Sequence, residues 1–203
     1  MKKIVCFGDS ITEMGFVIEV RGYVAQLADR YARRADVLAR GFSGYTTREA
    51  VRILDAAVLM EKPDIVILFF GANDSVVPGQ FQHVPLQDYR KNLLDMASRI
   101  AVSGAWLILV TPPPVSERLI KNRTLGTTAA YARTCIDVAR EMNLPVVDLF
   151  MKLQEEPEWE KNALIDGLHL SANGMTRLYE ELAAALDKLH PLESLERMGV
   201  DGV

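Results

Sequence analysis

The chain has no long apolar run, little net charge and few cysteines or histidines. Its 203 residues include two cysteines and three histidines. Cys6, in a predicted buried strand, and Cys135, in a predicted helix, make no disulfide framework and read as small apolar fillers. No segment approaches the roughly 20 apolar residues that a membrane-spanning helix needs. At the N-terminus, Met1-Lys2-Lys3 is followed only by Ile4 to Phe7 before Gly8-Asp9-Ser10, too short an apolar stretch for a secretory signal. A cytoplasmic protein that engages no membrane is the expectation. The formal charge of −4 offers no basic footprint, so nucleic acid is not an expected partner.

What is there is ordinary in amount: 49% hydrophobic and 25% charged residues, as in a soluble globular domain. A chain of this length buries about 70% of its unfolded surface in one domain. No internal repeat, low-complexity stretch or linker divides it. Residues 1–190 are predicted to form the domain and 191–203 a C-terminal extension. Leu192, Leu195 and Met198 in that tail would pack back on the domain or on a neighbouring subunit, which leaves room for a homodimer.

Strand-like and helix-like segments alternate. Ile4 to Phe7 is a short apolar run that a turn ends. Tyr23 to Arg33 places Tyr23, Leu27, Ala28 and Tyr31 on one helical face. Asp36 to Ala39 is a second short strand. Thr46, with Glu49 three residues on, is a capping box opening a helix to about Met60. Asp64 to Phe70 is the most hydrophobic run, as expected of a central parallel strand covered on both faces. Leu86 to Val102 is predicted helical, and Trp106 to Val110 is a fourth strand that the triplet Pro112-Pro113-Pro114 terminates. A helix over Thr127 to Met142, a strand over Val146 to Leu149 and a last helix from the N-cap Ser171 to about Leu189 complete the set. The pattern predicts an α/β fold: a three-layer α/β/α sandwich with a flavodoxin-like, five-stranded parallel sheet.

In such sheets ligands sit at the carboxyl ends of the strands. Ser10 follows the first strand, Ser43-Gly44 the second and Asn73 the third, while Asp166 and His169 precede the last helix. All are predicted on one sheet edge. A serine hydroxyl is a poor nucleophile until an imidazole takes its proton, and a carboxylate fixes the imidazole's tautomer. Asp166-Gly167-Leu168-His169 supplies both partners across one tight turn. His83, in a polar loop, and His190, before Pro191, have no carboxylate at matching spacing. The backbone N–H of Ser10, that of Gly44 and the side-chain amide of Asn73 are three donors for the oxyanion that forms when a hydroxyl attacks an ester carbonyl. Taken singly, each is also an unremarkable turn residue.

Gly8-Asp9-Ser10-Ile11-Thr12, Ser43-Gly44, Gly71-Ala72-Asn73-Asp74 and Asp166-Gly167-Leu168-His169 resemble the four sequence blocks of the SGNH hydrolases, also called GDSL esterases and lipases. Arg40 to Thr46, Val84-Pro85-Leu86 and Asp166 to Ser171 are similar to the isoamyl acetate-hydrolysing branch. The resemblance implies Ser10 as nucleophile, His169 as base, Asp166 as orienting acid, and Ser10, Gly44 and Asn73 as the oxyanion hole. It further implies a serine esterase with no metal and no organic cofactor, and the short catalytic loops, with nothing that suggests a large lid, suit small, short-acyl, soluble esters. Ala39-Arg40 stands where periplasmic relatives often carry an asparagine, which weakens transfer of their thioesterase or lysophospholipase specificity. Ile11, Phe16, Tyr45, Val76, Val77 and Phe81 are candidates for lining a pocket, and equally for plain packing. A carbohydrate O-deacetylase or an acyltransferase would use the same triad. An inactive small-ligand-binding protein on this fold is disfavoured by the intact triad, and a nucleotide-binding module by a first loop that is neither Gly-x-Gly-x-x-Gly nor a Walker sequence.

Overall fold

The computed structural model describes residues 2–189. Strands β1 (Lys2–Gly8), β2 (Ala35–Gly41), β3 (Ile65–Phe69), β4 (Trp106–Val110) and β5 (Val146–Val147) form one sheet in the order β2-β1-β3-β4-β5. Every pairing is parallel, with Gly8 opposite Gly41 on one side and Phe69 on the other. The strand order reverses between β1 and β3, which opens a crevice at their carboxyl ends.

Side chains alternate across a strand, so a strand covered on both faces serves two cores at once. Ile65, Ile67 and Phe69 of β3 enter one core with Ile4 and Cys6 of β1. Val66 and Leu68 enter the other with Val5 and Phe7. The first core is closed by α2 (Tyr23–Arg30) through Tyr23, Val24 and Leu27, and by α8 (Ala172–Asp187) through Met175, Leu178, Leu182 and Leu186. On the opposite face α3 (Thr47–Ala57), α4 (Leu86–Val102) and α5 (Leu125–Glu141) contribute Leu54, Tyr89, Leu93, Met96, Tyr131 and Val138. The result is the expected three-layer sandwich. Cys6 and Cys135 are free and buried, and burial pushes both thiols up to about 12.

Local signals set most boundaries. Thr46 caps α3 in a reciprocal box with Glu49, and Ser171 caps α8 by accepting from the Gly174 N–H. The helix expected to reach Arg33 stops at Arg30, and Arg33 adopts a left-handed conformation. That expected to reach Met60 stops at Ala57 and passes into a 3₁₀ turn. The fifth strand, predicted to Leu149, ends at Val147 because Asp148 turns the chain and accepts from the Met151 N–H. This caps α6 (Leu149–Gln154), a helix not predicted. Two further short helices, α1 (Ser10–Glu13) and α7 (Trp159–Asn162), also lie where no helix was expected. His190 and the predicted tail 191–203 fall outside the described residues. No helix among the described residues is long and apolar enough to cross a membrane.

Because Ile67 is fully buried between two covered strands, Ile67→Ala leaves a cavity that the neighbouring backbones cannot fill. The variant should lose about 2–5 kcal/mol of stability, read as a lower denaturant midpoint at unchanged slope.

Candidate active site

The chain leaves β1 through Gly8. A β-carbon there would lie 2.2 Å from Thr12 Oγ1 and 2.6 Å from the Phe69 carbonyl oxygen, so glycine is required for the turn to fold back this closely. Asp9 then caps α1, accepting from the Ile11 N–H at 3.0 Å, and Ser10 becomes the first helical residue. At the other end of the sequence, Leu164 and Leu170 form an antiparallel bridge, and the Ile165 N–H donates to the His169 carbonyl at 2.8 Å. Gly167 closes this small loop with φ at +93° while its carbonyl accepts from the Ser116 N–H at 2.9 Å. A side chain at that position would be strained and would also meet Leu119 at 2.8 Å.

These two turns bring Ser10 and His169 together across 159 residues. Ser10 Oγ lies 2.9 Å from His169 Nε2, and His169 Nδ1 lies 2.7 Å from Asp166 Oδ2. An ionised carboxylate only accepts, so Nδ1 carries the ring proton and Nε2 is free to accept from the serine hydroxyl. The other Asp166 oxygen accepts from the Leu168 and His169 N–H groups at 3.0 and 2.9 Å. Burial raises the Asp166 carboxyl, but the imidazole and the two backbone donors outweigh it and hold the group below the usual carboxylate range.

The three expected oxyanion donors lie on the loops that follow β1, β2 and β3. Neither the Ser10 nor the Gly44 backbone N–H has an acceptor among the described residues. The Gly44 loop is held from both sides: Glu13 of α1 accepts from the Ser43 N–H at 2.8 Å, and Gln82 donates to the Gly44 carbonyl at 2.9 Å. Asn73 is buried, donating one Nδ2 hydrogen to the Tyr45 carbonyl at 2.9 Å while Oδ1 accepts from Arg123 at 3.0 Å. The second Nδ2 hydrogen remains for a ligand. Beside the Gly44 loop lies a cavity of about 460 Å³ whose walls include Tyr45, Val76, Phe81, Gln82 and Asn122. Of the candidate lining residues, Tyr45, Val76 and Phe81 do face it, whereas Ile11 belongs to the core and Phe16 and Val77 lie elsewhere. His83 is structural, with Nδ1 bonded to the Val76 carbonyl at 2.6 Å.

A model of the GDSL-like lipase/acylhydrolase family matches residues 6–177. The chain belongs to that family. It is thereby an ester hydrolase. Over 205 residues, covering 92% of this chain and 82% of the relative, it is 40% identical to the mouse isoamyl acetate-hydrolyzing esterase 1 homolog. A GDSL esterase/lipase of Arabidopsis thaliana is 39% identical over 91% of this chain and 86% of its own. Among solved structures, the lipase/acylhydrolase of Enterococcus faecalis superposes with a TM-score of 0.80 at 29% identity, covering 92% of this chain and 95% of that one. An acetyl xylan esterase superposes with a TM-score of 0.79 at 21% identity, covering 91% and 99%, a likeness of fold.

Sequence reading missed several groups in this hydrolase that support the edge. Arg123 comes from a loop whose register gives no periodic signal. Glu13 looks like an ordinary surface acid until the Ser43 loop lies against it. Asp74 is wholly buried and accepts from the Thr47 N–H at 3.0 Å and from its hydroxyl, tying the loop after β3 to the start of α3. Thr47 in turn accepts from Asn92 at 3.0 Å.

Desolvation raises Asp74 to about 7, with the Thr47 bonds opposing and the Asp9 charge adding to it. Burial likewise lifts Asp9 to about 6, against the Ile11 N–H, His169 and Arg123. A carboxyl raised in the folded state binds its proton more tightly there than in the unfolded chain. Its contribution is therefore complete below the unfolded value near 3.8 and declines as pH rises toward 7. Asp74→Asn should accordingly flatten the stability–pH curve between about pH 4 and 7, measured by urea unfolding across that range. An unchanged curve would mean that Asp74 stays ionised in the fold.

Proposed function

We propose that this chain hydrolyses short-chain carboxylic esters of small alcohols through an acyl-enzyme on Ser10. The observation that carries the proposal is the unbroken relay from Ser10 Oγ through His169 to Asp166, at 2.9 and 2.7 Å. His169 Nε2 takes the hydroxyl proton as Oγ attacks the carbonyl carbon. The carbonyl oxygen becomes an oxyanion that the Ser10 and Gly44 N–H groups and Asn73 Nδ2 receive. Collapse expels the alcohol, which leaves with the proton from His169. Water then repeats the sequence on the acyl-enzyme, losing a proton to His169 and releasing the acid and free Ser10.

Asp166 keeps Nδ1 protonated and steadies the imidazolium, which is why its depressed titration matters. Short loops around Ser10 and the isoamyl acetate-hydrolysing activity named for the mouse relative support small soluble esters. A carbohydrate O-deacetylase or an acyltransferase would use the same relay.

Hydrolysis of p-nitrophenyl acetate, butyrate, octanoate and palmitate should be fastest for the two short esters and should vanish in Ser10→Ala. Turnover untouched by that substitution would refute the reading. Asp166→Asn preserves shape but offers an amide to Nδ1, so kcat should fall by about 10³–10⁴-fold with the fold intact by circular dichroism. On acidification, protonated His169 loses its capacity to accept from Ser10. A rate that does not fall on acidification would contradict the assigned base.

A further inference from the structure

We propose that Arg123 is a positioning residue for the oxyanion hole, locking the Asn73 amide in one orientation and polarising it toward the developing charge. The inference rests on the acyl-enzyme reading above and adds a residue that neither the sequence blocks nor the triad geometry contains.

Arg123 stands on the loop between β4 and α5 and is 6% exposed. Its donors go to neutral oxygens: Nε to the Ala72 carbonyl at 2.7 Å, Nη1 to Asn122 Oδ1 at 3.0 Å and Nη2 to Asn73 Oδ1 at 3.0 Å. A buried cation is costly, and a carboxylate in contact would offset that cost better than carbonyls do. Asp9 and Asp166 act on it only through space. The guanidinium is thus placed to serve the strip Ala72-Asn73 at the end of β3 rather than to close an ion pair.

The consequence for Asn73 follows from donor and acceptor types. A primary amide has two faces of nearly equal shape, and a flip exchanges oxygen for nitrogen. Arginine only donates and the Tyr45 carbonyl only accepts. Together they permit one orientation, because the flipped amide would set NH₂ against guanidinium and oxygen against oxygen. One Nδ2 hydrogen is consumed by Tyr45 and the other is held in a fixed direction. A cation on Oδ1 also withdraws density from the amide, which strengthens the remaining N–H as a donor. Such donors act on charge that exists in the transition state, so their loss appears in kcat more than in substrate binding.

The test uses the full chain with p-nitrophenyl acetate, comparing Arg123→Lys, Arg123→Met, Asn73→Ala and the Arg123→Met/Asn73→Ala double variant, each checked by thermal melting. Asn73→Ala should lower kcat by about 10²–10³-fold. Arg123→Met should lower kcat and kcat/KM together by roughly 10- to 100-fold with KM within about threefold, and Arg123→Lys should lose less. In the double variant the losses should not multiply, since Arg123 acts through Asn73. Guanidinium added to Arg123→Ala should restore rate, and should fail to do so when Asn73 is also alanine. If Arg123→Met does not fold, the same cycle is run with Arg123→Lys. Wild-type kcat in a folded Arg123→Met or Arg123→Lys protein, or losses that multiply across the double variant, would overturn the proposal. Ser10→Ala separates the two levels: retained turnover there refutes the acyl-enzyme reading itself, whereas a dead Ser10→Ala beside fully active Arg123 variants refutes only the role of Arg123.

Discussion

Burial of β3 on both faces, between β1 and β4, is the constraint on which the other features depend. Its residues Ile65 to Phe69 are almost wholly removed from water and feed two cores in alternation, so the strand cannot slide by one position without exchanging them. The strand's register sets Gly8 opposite Phe69 and therefore sets where β1 must turn. Ser10 follows that turn and Asn73 follows β3 itself. Two segments of the candidate site are thus placed by the sheet register and the hydrophobic packing beneath them.

Above the sheet the logic becomes electrostatic. Asp9, Asp74 and Arg123 are buried charges or potential charges, each engaged by hydrogen bonds within the carboxyl-end loops. Asp166 is different: its side chain is 53% exposed, and its stabilisation comes from three donors on its own turn. Solvent screens it, and the geometry of the turn matters more than the strength of the pair. The half-open setting suits the proposed relay, which would release an acid and an alcohol in every cycle.

Glu13 and Gln82 show a second use of polar contacts. They hold the Ser43-Gly44 loop from opposite sides, through a carboxylate on one N–H and an amide on one carbonyl. This leaves the Gly44 N–H without an acceptor among the described residues. A loop whose backbone polar groups were all satisfied internally would have nothing to offer a ligand.

Local chemistry was readable along the chain wherever it rests on neighbours. Thr46 with Glu49 and Ser171 before α8 declare helix starts, and the unbroken apolar run after Asp64 declares a strand covered on both sides. The Asp166 turn closes within four residues, so its carboxylate–imidazole pairing was legible as well. By contrast, β5 stops at Val147 because Asp148 finds the Met151 N–H and Thr111 receives the Phe150 N–H from across the sheet. No hydrophobic pattern encodes that. Arg123, Glu13 and Asp74 were invisible as functional residues because each acts on a partner more than 25 positions away. By itself the sequence determined which segments become strands and helices and which residue types lie at their ends, since periodicity and capping are local. Which of those ends face one another, and which buried charge stands behind which amide, only the tertiary structure decided, because burial and long-range hydrogen bonds exist only once the sheet has closed.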